Sequence, residues 1–470
     1  MNKQAKNSMI YLIGAFSAAV LGLINTPMLT RAMSTAEYAQ YGNLTSFGTL
    51  LMSLAYLGLD EAFMRFYHER KESIGRFIIR CLFTPVLLSV VIGIALIEPN
   101  GILSNIIFGQ KQNTQILMLC GVYVLLMIIQ RLTMLTVRME ENAWNYVAAE
   151  LMTKLGFIAV VVLALIKIGS VTLGIIEMAL ICGYLIAIMI NAIAVFPVIK
   201  KNGIGLEHSK WYLIQYGYPF AISNTLIYFV PMLERVVMRE TIGLSDLGVY
   251  TSAQIFGTVI NLFAVSLNSV WLPYVYRADI HAENFKKIFY SIGVCAVYFS
   301  LGMLAVTITC RRWFILILGE EFGQAYIIAP AVLFGSCMTI VMNIYSIGIN
   351  LSNKTKYHLL TPVIQCAISV SLLLILGPRL RLAGVGIANM ASLFGSRIAK
   401  IILGLRECNT QRNMTKVWLL LAISLFCACL SCIFYNSVLM DIILGIFLLL
   451  VGTASCYAEI RFILHSMIRK

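Results

Sequence analysis

The chain is short of charge. Charged residues make up 12% of its 470 residues, about half of the roughly 25% usual in soluble domains. Hydrophobic residues make up 60%, and the mean hydropathy is +0.87. No soluble fold of this length could hide that much apolar surface in one core. The apolar runs are about 20 residues long, enough for a helix to cross the hydrocarbon, whereas barrel strands would be about 10 and alternating. What remains is an all-α polytopic membrane protein.

Catalytic motifs are missing as well. There is no Walker A sequence, no GxGxxG after a strand, no HExxH and no triad spacing among the five histidines. No polar loop is long enough to carry a membrane enzyme's active site; the longest outer connection is about 97–115. The pairs Asp60-Glu61 and Glu140-Glu141 are adjacent on helices and point apart, so neither can act as an acid/base couple. The reading is a non-enzyme. Twelve cysteines lie almost wholly in apolar runs. Cys427-x-Cys429-x-x-Cys432 has a metal-like spacing, but it lies inside a span with no histidine near and no loop to wrap an ion. These thiols read as small packing residues, and no metal or cofactor is expected.

What is present begins with Ile24 to Tyr67, an apolar run closed by Pro27-Met28-Leu29-Thr30-Arg31, a short polar turn, and a second apolar run that ends in charge. Pro231-Met232-Leu233-Glu234-Arg235 repeats the PMLxR pattern 204 residues later, again before another apolar run. Such an echo reads as internal duplication, which is common in transporters. Helical spans are expected near 8–30, 44–64, 77–97, 115–136, 146–166, 172–196, 212–238, 247–275, 287–309, 326–350, 358–377, 384–405, 417–436 and 441–463. With fourteen spans and an inside N-terminus, 25 Lys and Arg fall on the inner side and 9 on the outer, and Lys154 lies within a span. Cytoplasmic excess of Lys and Arg sets orientation, so both termini are expected inside. The net charge of +14 follows from this asymmetry, together with contact to anionic lipid heads, and implies no nucleic-acid partner.

Charge inside the spans is costly and usually faces a bundle interior or a wet cavity. The candidates are Asp60, Glu61 and Arg65 on span 2, Arg131 on span 4, Glu150 and Lys154 on span 5, and Glu177 on span 6. Glu234 and Arg235 lie on span 7, Arg397 and Lys400 on span 12, and Arg31 closes span 1. Glu61 is placed to pair with Arg65, and Glu150 with Lys154, each at i,i+4. Snorkelling or local ion pairing near the interface is the plain alternative for each. Pro27, Pro219, Pro231 and Pro273 should bend spans 1, 7 and 8.

The string LTRAMSTAEYAQYGNL…LGLDEAFMRFY resembles the opening of the polysaccharide-transporter branch of the multidrug/oligosaccharidyl-lipid/polysaccharide flippase superfamily. QYGYPFAISNTLIYFVPMLERVVM…LGVYTSA, SVWLPYVY at 269–276 and SNKTKYHLL…AGVGIANM are similar to later stretches of the same branch. Two departures stand out: Ala39 replaces a usual glycine in the first turn, and Glu234 replaces the commoner Asp. The resemblance implies two six-helix lobes, 1–210 and 211–406, and two extra helices in 407–470. It also implies a bacterial cytoplasmic membrane and a polyprenyl-pyrophosphate-linked oligosaccharide as substrate, with other polysaccharide-assembly proteins as possible partners. A head of phosphates and sugars cannot cross hydrocarbon unaided, and a cleft rich in Arg and Lys suits pyrophosphate.

The expected mechanism is alternating access. Lys154, Arg131 and Arg65 or Arg397 would hold the pyrophosphate. Arg31 and Arg235 would gate the outer side, partnered by Glu234 or by Asp60 and Glu61. Glu150, Glu177 or Glu234 would couple a proton or sodium. A drug/cation antiporter and a peptidoglycan lipid-precursor flippase are the alternatives within the same fold.

Overall fold

A computed structural model of the chain describes residues 3–98, 101–202, 209–277, 283–352, 357–408 and 414–468. The Lys354–Lys356 stretch, His208, His281 and the two chain ends lie outside them. Contacts divide the chain into two units, residues 1–236 and 237–470.

The first unit holds α1 (Lys3–Thr30), α2 (Thr35–Tyr56), α3 (Leu59–Phe66), α4 (Ile74–Leu96), α5 (Ile102–Phe108) and α6 (Thr114–Met139). It continues with α7 (Ala143–Ile168), α8 (Leu173–Val195) and most of α9 (Lys210–Ile242). The second unit holds α10 (Leu244–Arg277), α11 (Glu283–Cys310), α12 (Ala325–Tyr345), α13 (Ile347–Leu351), α14 (Tyr357–Cys408), α15 (Thr415–Ile433) and α16 (Val438–Ile468), with two 3₁₀ turns, Arg311–Leu316 and Glu320–Phe322. Among the described residues eleven helices are long and apolar enough to cross a membrane, and the bent α10 makes a twelfth. The apolar part of α14, Leu359–Glu407, is 49 residues. At 1.5 Å per residue that is about 74 Å, more than twice a bilayer core of about 30 Å, so it supplies two spans joined at the non-helical Arg381.

Several expectations need correction. The turn after Arg31 is shorter than supposed, because α2 already begins at Thr35. Ser34 caps it, accepting from the Glu37 amide while the Glu37 carboxylate accepts from Ser34. Ser34-Thr-Ala-Glu37 is the S-x-x-E capping signature, so the sequence carried that signal. Ala39 therefore sits in a helix, fully buried, and not in a turn. Span 2 is not continuous: Leu57 and Gly58 both take positive φ (49° and 79°), which separates α2 from α3. The bend in α10 lies between Thr258 and Ile260, next to Gly257 and well before Pro273. Pro27, Pro219 and Pro231 are carried inside α1 and α9.

The break at Gly58 lets α9 come very close. A Cβ on Gly58 would lie 2.0 Å from the carbonyl oxygen of Gly217, and one on Gly217 would lie 2.3 Å from that of Gly58. Backbone meets backbone there, the contact that small residues permit between membrane helices. Gly217→Val should force the two apart and lower the melting temperature of the purified protein, by the about 1–3 kcal/mol typical of overpacking. An unchanged melting temperature would show that α9 can shift without loss.

One end of the first unit is tied by side chains. The Tyr67 hydroxyl donates to Glu140 at 2.9 Å, and Lys201 reaches the other oxygen of the same carboxylate at 3.3 Å. Burial and the facing Glu140 carboxylate push the Tyr67 phenol above its ordinary range, so it stays a donor. The amides of Ile74 and Gly75 donate to the carbonyls of Lys201 and Ile199. These are connections that the charge asymmetry assigned to the inner side, and they meet at one end.

In the second unit α15 and α16 are part of the core. Val417, Leu421, Cys427, Cys432, Leu444 and Leu448 are buried in the same cluster as residues of α11 and α12. Cys432 lies 3.5 Å from the Ile327 carbonyl, and Cys427 is fully buried, both in packing positions.

Candidate functional site

The expected site residues divide by whether another charge neutralises them. Asp60 is buried in the first turn of α3, and its Oδ2 accepts from Arg131 of α6 at 3.3 Å. Tyr56 packs beside them and donates to the Ile128 carbonyl at 2.6 Å. Asp60 is thus engaged with Arg131, and not with Arg31 or Arg235 as the gate expectation had it. Glu61 faces Asn224 of α9 and shares a hydrogen bond with it. The expected Glu61–Arg65 pair does not form, because Arg65 turns the other way, to Glu69, on an exposed surface. Arg65 is at the C-terminal end of the short α3, and Glu69 one turn beyond it offers a carboxylate nearer water than Glu61 does.

The two copies of PMLxR end in different surroundings. Arg31 lies just past the end of α1 and is exposed, its amide still bonded to the Pro27 carbonyl. Arg235 and Glu234 are both buried inside α9, which runs on to Ile242. Arg235 acts electrostatically on Tyr38 of α2, which is hydrogen-bonded to Thr26. The helix end, and not the five-letter match, sets how far each arginine reaches water.

A second group of charges is left without close compensation. Lys154 on α7 feels Glu150 one turn earlier, but among the described residues it makes no hydrogen bond and no ion pair within 4 Å. Its neighbour Thr153 packs against α8 so closely that a Cβ on Gly183 would lie 2.3 Å from the Thr153 carbonyl oxygen. Glu177, in the second turn of α8, is fully buried, and neither carboxylate oxygen has a hydrogen-bond partner among the described residues. In the second unit Arg397 and Lys400 sit one turn apart on α14, each in the other's field. Arg397 donates to the Met342 sulfur at 3.4 Å, and its Nε is buried without a partner. Neither cation has a carboxylate partner among the described residues. Two uncompensated cations at membrane depth are expensive unless an anion comes to them.

Sequence reasoning missed a fully buried, two-bond ion pair. Arg311, read as one of the outer-side cations, is completely buried and forms two bonds to Asp441, Nε to Oδ2 at 2.9 Å and Nη2 to Oδ1 at 2.5 Å. It also donates to the carbonyls of Ser431 (2.7 Å) and Tyr435 (3.1 Å). A lone aspartate near the start of an apolar run is the only trace of this in the sequence.

This architecture, with its charged residues set into long apolar helices, defines a multi-pass membrane protein with the fold of the multidrug/oligosaccharidyl-lipid/polysaccharide flippases. Residues 4–279 match the polysaccharide biosynthesis protein family, and the chain belongs to that family. Among solved structures it is similar to the lipid II flippase MurJ in an inward closed conformation, with a TM-score of 0.68, 14% identity, and 96% of this chain and 99% of that one covered. It is similar also to an inward-facing multidrug resistance transporter of the same superfamily, with a TM-score of 0.64, 14% identity, and coverage of 86% and 99%. No curated protein sequence matches the chain.

Proposed function

We propose that the protein is a flippase that carries polyprenyl-pyrophosphate-linked oligosaccharide from the inner to the outer leaflet of a bacterial cytoplasmic membrane, for cell-surface polysaccharide synthesis. The observation that carries the reading is Arg397 with Lys400, two membrane-depth cations with no carboxylate partner among the described residues. A pyrophosphate supplies the missing negative charge, and the guanidinium fork matches its oxygens. Lys154 brings a further cation that no ion pair cancels. An organic cation would meet repulsion at these positions, which disfavours the drug-antiporter reading. The family match favours a polysaccharide precursor over a peptidoglycan one. The head group is exposed to one leaflet and then to the other, while the polyprenyl tail stays in lipid.

The test is the location of the lipid-linked oligosaccharide in cells lacking the protein. Accumulation on the cytoplasmic leaflet with loss of surface polysaccharide is expected. Normal polysaccharide with arrested peptidoglycan synthesis would move the substrate to the lipid II class. Normal polysaccharide with new sensitivity to cationic drugs would refute the anionic-substrate reading.

For energy coupling the proposal takes the proton, with Glu177 as its carrier. Glu177 is fully buried in α8, and neither of its carboxylate oxygens has a hydrogen-bond partner among the described residues, so a proton is the one counter-charge the proposal needs there. Glu177→Gln keeps shape and neutrality, so the variant should express and melt normally. Flipping driven by an imposed pH gradient in proteoliposomes should fall at least tenfold. Gradient-driven flipping that survives this change would remove Glu177 from the coupling.

A further inference from the structure

We propose that the second unit carries a binding site for acidic oligosaccharide at the end that the charge asymmetry assigns to the outside; this rests on the flippase reading. The site is a cavity of about 600 Å³, inside the 300–1,000 Å³ range of small-molecule sites. Four separate connections build it: the start of α10, the turn before α12, the kink in α14 and the turn between α15 and α16. All four belong to connections read as outer from the Lys and Arg distribution, and they converge on one place.

The lining has the chemistry of a sugar site. Tyr326 and Tyr435 both line the cavity, with ring centroids 6.3 Å apart at 53°, and each combines an aromatic ring with a hydroxyl. The amides of Gln324 and Asn436 add donors and acceptors with fixed planar geometry. An interfacial aromatic belt would turn its rings to lipid; these two line a concave polar cavity instead.

The charge is what makes the expected ligand acidic. Arg379 lines the cavity, is exposed, and has no hydrogen bond or ion pair among the described residues. Arg312 lies 5.9 Å over the Tyr326 ring and donates to the Asn436 carbonyl at 2.8 Å. Arg381 is held by Asp246, with Nε and Nη2 at 3.0 and 2.9 Å from Oδ2. Arg379 and Arg381 thus line the cavity with a single carboxylate, Asp246, that is already held by Arg381, and Arg312 stands against the Tyr326 wall, while Arg311 is cancelled by Asp441.

The backbone points the same way. Arg381 has φ 48° and ψ −127°, inside a helical stretch, in a region where a side chain is strained. Strain of this kind persists where surrounding structure enforces it, and it gathers at ligand sites. Here it turns Arg381 to Asp246 and leaves Arg379 open to the cavity. The occupant that fits is a short sugar chain bearing carboxylate or phosphate groups, the distal part of the proposed cargo once it faces outward. Such a site would retain the glycan after translocation and disfavour its return.

The test uses the full-length purified protein in nanodiscs and titrates trigalacturonic acid, with maltotriose as the neutral counterpart. Wild-type protein should bind the acidic trisaccharide and not the neutral one. Arg379→Gln, which breaks no bond seen among the described residues, should weaken binding at least about tenfold. Tyr435→Leu should weaken both the affinity and any residual binding in the arginine variant. Melting temperatures near wild type would confirm that both variants are folded. Absence of binding by wild type, or equal binding by Arg379→Gln, would overturn the proposal. It would also fall if Arg379→Gln altered only the enrichment of phosphatidylglycerol around the protein, since the cavity would then serve a lipid phosphate. Leaflet location of the lipid-linked oligosaccharide is read separately in cells, so failure of this site and failure of the flippase reading give different results.

Discussion

Methionine in place of Arg311 should destabilise the protein by about 3–5 kcal/mol, the cost of leaving one member of a buried ion pair without the other. The arginine is fully buried and every one of its nitrogens donates: Nε and Nη2 to Asp441, Nη1 to the Ser431 carbonyl, Nη2 also to the Tyr435 carbonyl. Removing it strands the buried Asp441 carboxylate and the buried Ser431 carbonyl, and frees the Tyr435 carbonyl. Folded domains have only about 5–15 kcal/mol in hand, so the loss should show as a lower melting temperature and a looser α15–α16 hairpin. A double variant, Arg311→Met with Asp441→Leu, should recover most of the loss, because apolar residues can replace a buried pair with little net cost. Thermal melting by fluorescence-detected size exclusion measures both. A single variant as stable as wild type would mean that the hairpin is held by apolar packing alone.

Neutralising Arg397 and Lys400 should act with the opposite balance. Each cation can give a charge-assisted hydrogen bond to a pyrophosphate oxygen, worth about 1.5–3 kcal/mol. Arg397→Gln with Lys400→Gln should therefore cut flipping by roughly a hundredfold or more, since each 1.4 kcal/mol is tenfold. Stability should stay level or rise, because the pair has no carboxylate partner among the described residues to lose. Export assayed in cells, with melting of the purified variant beside it, separates the two effects. Full export at normal expression would take these residues out of the substrate site. The comparison with Arg311 is informative because all three are basic residues inside or against apolar helices. What distinguishes them is the counter-charge. Arg311 has one within the protein, and Arg397 and Lys400 have none among the described residues.

Much of this was readable in the chain. The class of protein follows from 60% hydrophobic residues in runs near 20 long, because helices and closed barrels satisfy their backbones away from water and runs of this length fit helices and not barrel strands. Lys154, Arg397, Lys400 and Glu177 were visible as charges placed where hydrocarbon should be. The S-x-x-E cap at Ser34–Glu37 was legible too, and reading it would have started α2 at its true place. The partners were not legible. Glu61 and Arg65 have ideal helical spacing, yet Arg65 goes to Glu69 and Asp60 goes to Arg131, 71 residues away. Local spacing says which groups can meet; it is silent about a third group brought in by another helix.

The sequence by itself determined the solvent, the all-helical class and the family, and showed which charges lie inside long apolar runs. The solvent and the helical class depend on composition and on the length of apolar runs, and the family on the resemblance of short motifs; all of these are local. Tertiary structure alone decided which charges are cancelled. It buried Arg311 against an aspartate 130 residues away, left Arg397 and Lys400 without an anion among the described residues, and gathered Tyr326, Arg379 and Tyr435 from three connections around one cavity. The reason is that a charge's energy in a low-dielectric interior depends on what lies within a few ångströms of it, and that distance is set by the packing of helices far apart in the chain.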